Sequence, residues 1–209
     1  MTTSAKCLIF DFDGTLYPKK GYAFRVVLRN LTTLKYLMAE RKARKKLHGV
    51  YFETEALFYR AFFREGAALS GHTDAEFEKW YRKYLGDLLH ILKSRYRVYP
   101  EALKIFKICR EKGILLYVYS DYSLTVERME AIGIDPSGFE AIADSPSYGG
   151  LKPSIEAFKR FLNENRIDPE GAILIGDSDT CDRPLAAAAG MEFISVKEGF
   201  NSGTVLLSD

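Results

Sequence analysis

Cysteine, histidine and long apolar runs are scarce in this 209-residue sequence. The three cysteines, Cys7, Cys109 and Cys181, are odd in number and widely separated, which argues against a disulfide framework and favours a reduced compartment. No run of about 18 apolar residues is present, so we expect no membrane-spanning helix. The three histidines show no metal-ligand spacing. A disulfide scaffold, a membrane span and a histidine-based metal site are therefore excluded.

The net charge is also small, at +2, and 47% of the residues are hydrophobic. This composition excludes a disordered chain and is typical of a globular protein. The first residues, 1–6, contain no basic region leading into an apolar stretch, so we expect no signal peptide and a cytoplasmic protein. The length suits one domain, or one domain that carries an insertion.

The small net charge hides an uneven distribution. Residues 17–96 contain 17 Lys and Arg but 8 Asp and Glu, a net charge of +9, and the remainder of the chain has a net charge of −7. The two parts therefore differ in their electrostatic character.

Five short apolar runs predict buried strands, and helical patterns lie between them. Strands that are apolar throughout and alternate with helices indicate a parallel sheet that is covered on both faces. The predicted strands are Lys6–Phe10, Ile114–Tyr119, Phe139–Ala143, Ala172–Ile175 and Phe193–Val196, and the predicted helices are Glu101–Lys112, Thr125–Ile132, Ser154–Asn165 and Arg183–Ala189.

Residues 17–96 break this alternation, because their apolar residues recur at helical spacing and no strand is predicted there. The helical stretches are Tyr22–Leu47, Glu53–Ser70 and Ala75–Leu92, with interruptions expected at Gly49, Gly66, Gly71 and Gly86. We expect the many aromatic residues of this segment to form its own core. The sequence thus predicts an α/β fold: a doubly wound, Rossmann-like parallel-sheet core (1–16 and 97–209) with a helical insertion (17–96) after the first strand.

Polar side chains follow three of the predicted strands: Asp11 and Asp13, Ser120 and Asp121, and Asp177. Because ligands of open parallel sheets bind at the carboxyl ends of the strands, we expect these side chains to converge. Converging carboxylates repel each other unless a cation lies between them, and oxygen ligands suit Mg²⁺. The pattern therefore predicts a magnesium site.

Each of these motifs also has a simpler interpretation when taken alone. The Asp13-Gly14 pair is a turn signal in any protein, and Ser120 and Asp121 are common helix caps. Lys152, which precedes a proline at the start of a predicted helix, could bring a positive charge to the same site, or it could be an ordinary surface lysine. It is their joint order along the chain that favours a shared site.

In order and spacing, these residues resemble the four motifs of the haloacid dehalogenase-like hydrolase superfamily. The matching segments are Asp11–Leu16, Ser120, Lys152–Pro153, and Gly176–Asp177 with Asp182. The resemblance extends over residues 6–16 and 98–196, and the helical insertion resembles the superfamily's α-helical cap. It implies a Mg²⁺-dependent phosphatase that hydrolyses a small phosphorylated metabolite through an aspartyl-phosphate. A phosphomutase and a non-catalytic member that binds a phosphorylated ligand are the alternatives.

The resemblance also implies roles for the residues that would touch the substrate. Asp11 would be the nucleophile, and Asp13 would protonate the leaving oxygen and then activate water. Ser120 would bind a phosphoryl oxygen and Lys152 would neutralise its charge. Asp121, where related proteins often carry Asn, is grouped with these substrate-binding residues. Because the dehalogenase branch lacks the second carboxylate, the presence of Asp13 favours a phosphatase.

The metal ligands implied by the resemblance are Asp11, Asp13 and Asp177, with Asp13 contributing its backbone carbonyl. Asp182 would hold either the metal or the lysine of the third motif. Arg183 follows at a position where an apolar residue is commoner in the superfamily, but this departure removes none of the implied roles.

The remaining expectations concern partners. The basic run Arg41–Lys46 suits the solvated end of a helix, so we expect no nucleic-acid partner, and we expect no membrane partner either. The positive charge of the insertion would draw an anionic substrate toward the cleft. Cys181 lies inside the fourth motif, but no histidine is near it in sequence. The chain is expected to be a monomer or a homodimer.

Overall fold

A computed structural model describes residues 5–196. Within this range five strands form one parallel sheet in the order β3-β2-β1-β4-β5. The strands are β1 (Cys7–Phe10), β2 (Leu115–Ser120), β3 (Ala141–Asp144), β4 (Ala172–Gly176) and β5 (Glu192–Ser195). The predicted doubly wound, Rossmann-like sheet is confirmed, with each strand within two residues of its predicted limits.

Both faces of the sheet are buried because alternate residues of its central strands enter two different apolar clusters. In β1, Leu8 and Phe10 belong to one cluster, and Cys7 and Ile9 belong to the other. The period-2 geometry of a strand sends successive side chains to opposite faces, so a strand that is covered on both sides must be apolar throughout.

Four helices cover these two faces, and they agree with the predicted helices within one residue at each end. They are α5 (Pro100–Lys112), α6 (Thr125–Ala131), α7 (Ile155–Glu164) and α8 (Asp182–Ala189). Phe106 and Met129 of α5 and α6 join the first cluster, whereas Phe158 and Leu185 of α7 and α8 join the second. The helices therefore pack on opposite sides of the sheet.

Between β1 and α5 the chain forms four further helices: α1 (Tyr22–Arg29), α2 (Leu34–Leu47), α3 (Glu55–Ser70) and α4 (Asp74–Arg95). The aromatic residues Phe58, Phe62, Trp80, Tyr81 and Tyr84 are buried as expected, but they do not form a separate core, because they belong to the same apolar cluster as Leu8 and Phe10 of β1. The division into a core and a separate insertion at residues 17 and 96 stays a prediction. No helix in residues 5–196 is long and apolar enough to cross a bilayer.

The predicted stretch Tyr22–Leu47 is two helices rather than one, because α1 ends at Asn30. The buried side-chain amide of Asn30 donates a hydrogen bond to the carbonyl of Val26 at 2.9 Å, and a 3-10 turn, Leu31–Thr33, follows. Asparagine competes in this way for backbone carbonyls that a continuous helix would use. The apolar spacing alone does not reveal this break.

Two of the four glycines expected to interrupt the insertion lie inside helices instead. Gly49 and Gly71 adopt left-handed conformations outside the helices, with φ of +77° and +71°. Gly66 lies within α3, where the ring of Phe77 packs directly against it and a Cβ atom would overlap the ring. Gly86 lies within α4 with open space around it.

This difference predicts opposite effects for the same substitution. Gly66→Ala should reduce the free energy of unfolding by about 1–3 kcal/mol, because the new methyl group overpacks the core. Gly86→Ala should increase it by roughly 0.5–1 kcal/mol, because alanine has the higher helix propensity and meets no neighbour. Urea unfolding measures both values. Equal effects at the two positions would contradict the packing described for Phe77.

Candidate active site

The first carboxylate, Asp11, follows β1 directly and is held from two sides. One of its oxygens accepts a hydrogen bond from the Thr15 hydroxyl at 2.8 Å, and the other accepts one from the Lys152 ammonium at 2.6 Å. Burial raises the pKa of Asp11 to about 6, although Lys152 opposes the shift. The carboxylate is therefore fixed in orientation at the carboxyl end of the central strand.

Lys152 lies in the loop before α7 and is buried rather than exposed, so the surface-lysine interpretation is wrong. Its ammonium contacts Asp11 and, at 2.9 Å, Asp182. Burial by itself would lower the pKa of Lys152, but the two carboxylates outweigh it and raise that pKa well above its usual value. Lys152 therefore carries a fixed positive charge.

The fourth motif brings two more carboxylates to the same point. Carboxylate oxygens of Asp11, Asp177 and Asp182 all lie within 4.8 Å of one another, and no other acidic, histidine or cysteine cluster of this kind occurs among the residues that the structure describes. A Cβ atom at Gly176 would overlap the Asp182 carboxylate, so glycine is required there. Oxygen donors at this spacing fit Mg²⁺.

Asp13 points toward a residue that the sequence analysis did not identify. Nη2 of Arg128, on α6, lies 2.6 Å from each carboxylate oxygen of Asp13, and the Tyr17 hydroxyl donates to one of them at 2.5 Å. Burial alone would raise the pKa of Asp13, but Arg128 holds it below its usual value. Asp13 is therefore ionised here, and its carboxylate lies outside the cluster of three.

Arg128 also joins Asp13 to the second motif. Its Nη1 donates to the Ser120 hydroxyl oxygen at 3.0 Å, and the guanidinium carbon lies 4.4 Å from the centre of the Phe12 ring. The Ser120 hydroxyl accepts from Arg128 and from the backbone N–H of Tyr122, and its own hydrogen meets no acceptor in the part of the chain described. That hydrogen can be donated to a ligand oxygen.

Asp121 connects two loops. One carboxylate oxygen accepts hydrogen bonds from the Ser145 hydroxyl at 2.6 Å and from the backbone N–H of Lys152 at 2.9 Å. This places the loop after β2 against the loop that carries Lys152. The predicted role of Asp121 in substrate binding stays a prediction.

The helical insertion reaches the same loops. Arg44 of α2 donates to the backbone carbonyl of Asp121 at 3.1 and 3.2 Å, and its guanidinium stacks 3.7 Å from the centre of the Tyr122 ring. Nε of Arg44 donates to the buried carboxylate of Glu40 at 2.6 Å. Arg44, the most buried cation of the insertion, therefore contacts the second motif.

Two other contacts bring the insertion to the fourth motif. The Lys19 ammonium lies 2.9 Å from a carboxylate oxygen of Asp177. The His48 ring lies 3.2 Å from the Cys181 sulfur, although the two residues are far apart in sequence. Sequence reasoning missed both, because neither carries a local signal.

Comparison with protein families matches residues 5–190 to the haloacid dehalogenase-like hydrolases. The chain belongs to this family. Its helical segment and the four polar loops lie within the matched range. Comparison with curated proteins finds no match.

Solved structures share the fold of this haloacid dehalogenase-like hydrolase at low sequence identity. A putative haloacid dehalogenase-like hydrolase from Bacteroides fragilis is 22% identical, with a TM-score of 0.61 over 90% of this chain and 86% of that one. A putative phosphoglycolate phosphatase from Lactobacillus plantarum is 17% identical, with a TM-score of 0.62 over 98% and 91%. A 2-haloacid dehalogenase from Pseudomonas syringae pv. Tomato DC3000 is 21% identical, with a TM-score of 0.59 over 91% and 86%. Because proteins with different names match equally well, the likeness concerns the fold alone.

The buried pair of Arg128 and Asp13 yields a stability prediction. Arg128→Met should lower the free energy of unfolding by about 3 kcal/mol, because it leaves the largely buried carboxylate of Asp13 without its cation. The double variant Arg128→Met/Asp13→Asn should lose less than the two single variants added together.

Urea unfolding of these variants measures the coupling. The matched control is Arg82→Gln, which removes an arginine from an exposed pair with Glu78 and should cost less than about 1 kcal/mol. Purely additive losses would contradict the Asp13–Arg128 contact.

Proposed function

We propose that this haloacid dehalogenase-like hydrolase is a Mg²⁺-dependent phosphatase that cleaves a small phosphorylated metabolite through an aspartyl-phosphate on Asp11. The observation that carries the proposal is the fixed Asp11 carboxylate, held by Lys152 and Thr15 beside two further carboxylates. A carboxylate with a lysine and a cation site beside it suits attack on a phosphate dianion, since its positive neighbours offset the charge of both reactants.

In the first step, a carboxylate oxygen of Asp11 attacks phosphorus while the bond from phosphorus to the leaving oxygen breaks. The leaving oxygen takes a proton from Asp13. Because Asp13 is ionised and paired with Arg128 in the structure, this role requires the pair to separate and Asp13 to gain a proton before the step begins. Ser120 donates to a phosphoryl oxygen, and Lys152 offsets the phosphoryl charge. A bound Mg²⁺, held by Asp11, Asp177 and Asp182, would supply further charge neutralisation.

In the second step, water attacks the phosphorus of the aspartyl-phosphate and passes a proton to Asp13. Phosphate leaves, and the Asp11 carboxylate is regenerated. The ionised Asp13 beside Arg128 suits this step, because a base must begin without a proton. The same carboxylate argues against the dehalogenase reaction, since a halide leaving group needs no acid.

The nucleophile is tested by Asp11→Asn, which should reduce hydrolysis of p-nitrophenyl phosphate by more than about a thousandfold. The amide oxygen can still accept from Lys152, so the circular dichroism spectrum and melting temperature should stay close to those of the unchanged protein. Asp179→Asn, at an exposed carboxylate in the fourth-motif loop, is the control and should retain activity. An active Asp11→Asn protein would exclude Asp11 as the nucleophile. If the unchanged protein releases less free phosphate than the amount of substrate that it consumes, the result would instead favour a phosphomutase.

The metal site is tested by removal and replacement of the ion. Chelation should abolish turnover and Mg²⁺ should restore it. Independently of activity, Mg²⁺ at about a hundredfold above its dissociation constant should stabilise the fold by about 2.7 kcal/mol. Asp177→Asn should lose most of that stabilisation, whereas Asp179→Asn should keep it, and differential scanning calorimetry measures both. Equal stabilisation of the two variants would argue against Asp177 as a ligand.

A further inference from the structure

Five large apolar side chains within one short segment, α1, α2 and the turn between them, are exposed to solvent. Phe24 and Leu28 lie one turn apart on α1, Leu34 and Met38 lie one turn apart on α2, and Leu31 lies in the turn between the helices. Phe24 and Leu28 are 66% and 50% exposed, Leu34 and Met38 are 42% and 46% exposed, and Leu31 is 59% exposed. We call these five residues the apolar ridge. Exposed apolar residues are ordinary when scattered singly, but five of them within fifteen residues of sequence indicate a contact surface.

The positive charge of the insertion is concentrated on the same segment. Residues 19–47 contain ten Lys and Arg but one Asp or Glu, whereas residues 48–96 contain seven of each. The single acidic residue, Glu40, is buried and paired with Arg44. The net charge of +9 therefore belongs entirely to the segment that carries the apolar ridge.

Six of these cations are exposed and have no carboxylate within salt-bridge distance in residues 5–196. They are Lys20, Arg25, Lys35, Arg41, Lys42 and Lys45. We call them the basic flank. Only two of the ten cations of the segment, Lys19 and Arg44, contact the catalytic loops in the described structure. The six cations of the basic flank make no contact with these loops in the described residues, so their side chains are available to another partner.

The chemistry of the surface selects among possible occupants. A second copy of the chain, paired face to face, would bring the basic flank against itself, which costs free energy. Nucleic acid would satisfy the cations but not five exposed apolar side chains, because its backbone offers phosphates and sugars. Apolar residues on one side of a helix with lysine and arginine beside them are typical of helices that lie in an anionic membrane interface.

We propose that the apolar ridge and the basic flank bind the surface of an anionic lipid bilayer, with the ridge in the headgroup region and the flank against acidic headgroups. The expectation of no membrane partner rested on the lack of a spanning helix, and a helix that lies on the surface needs no span. This binding does not depend on the proposed phosphatase activity.

The test is flotation of the full-length protein with two kinds of vesicle: phosphatidylcholine alone, and phosphatidylcholine in which about a third of the lipid is phosphatidylglycerol. The unchanged protein should float with the anionic vesicles and not with the neutral ones, and salt should weaken the binding. Failure to float with anionic vesicles at low salt would overturn the proposal.

Paired variants separate the two features of the surface. Phe24→Gln/Leu28→Gln should reduce binding roughly tenfold, because it removes apolar area from the interface. Its control is Leu57→Gln/Leu103→Gln, two leucines that are each 44% exposed on other helices.

The basic flank is tested separately. Arg25→Gln/Arg41→Gln/Lys42→Gln should reduce binding on the order of a hundredfold, since each cation near an anionic surface contributes about fivefold. Its control is Lys79→Gln/Lys104→Gln/Lys159→Gln. Equal losses in test and control variants would contradict the proposal.

Two further readouts decide between the occupants. Light scattering of the unchanged protein should show no dimer that the Phe24→Gln/Leu28→Gln substitutions dissociate. If such a dimer is found, the apolar ridge is a contact between two copies of the chain, and the lipid-binding proposal is overturned. Hydrolysis of a soluble phosphate ester should be the same in all four variants. An inactive parent protein that still floats with anionic vesicles would refute the phosphatase and leave lipid binding supported.

Discussion

The buried ammonium of Lys152 determines the relative positions of the strand ends. It contacts Asp11 after β1 and Asp182 at the start of α8, and the backbone N–H of the same residue contacts Asp121 after β2. A buried cation needs its carboxylates, and each buried carboxylate needs the cation, because either left alone would carry the full cost of desolvation. Four separate chain segments are thereby fixed at one edge of the sheet, and the candidate nucleophile takes its orientation from that arrangement.

Much of this arrangement could be predicted from the sequence, because the parallel sheet imposes a strong local pattern. A strand buried on both faces is apolar throughout and ends abruptly in polar residues, so β1, β2 and β4 and the side chains of Asp11, Ser120 and Asp177 could be identified together. Their roles in the reaction came from the family resemblance and not from the pattern.

The contacts that the sequence did not predict all come from tertiary packing. Arg128 is an ordinary position on a short helix until the fold brings it to Asp13, and His48 meets Cys181 only because the insertion lies against the fourth motif. Gly66 illustrates the same limit: the space that requires glycine there is filled by the ring of Phe77, which belongs to another helix. The charge of the insertion and its concentration in residues 19–47 were visible in the sequence, but the exposure of the apolar side chains in the same segment was not.

The central claim is that Asp11 becomes phosphorylated during turnover, and a direct measurement is mass spectrometry of the protein after rapid acid quench with a phosphate ester and Mg²⁺. The account predicts a phosphoryl group on the peptide that contains Asp11, which decays as free phosphate appears and which is missing from an Asp11→Asn protein. Turnover with no phosphorylated peptide at any quench time, or with the phosphoryl group on another residue, would contradict the account.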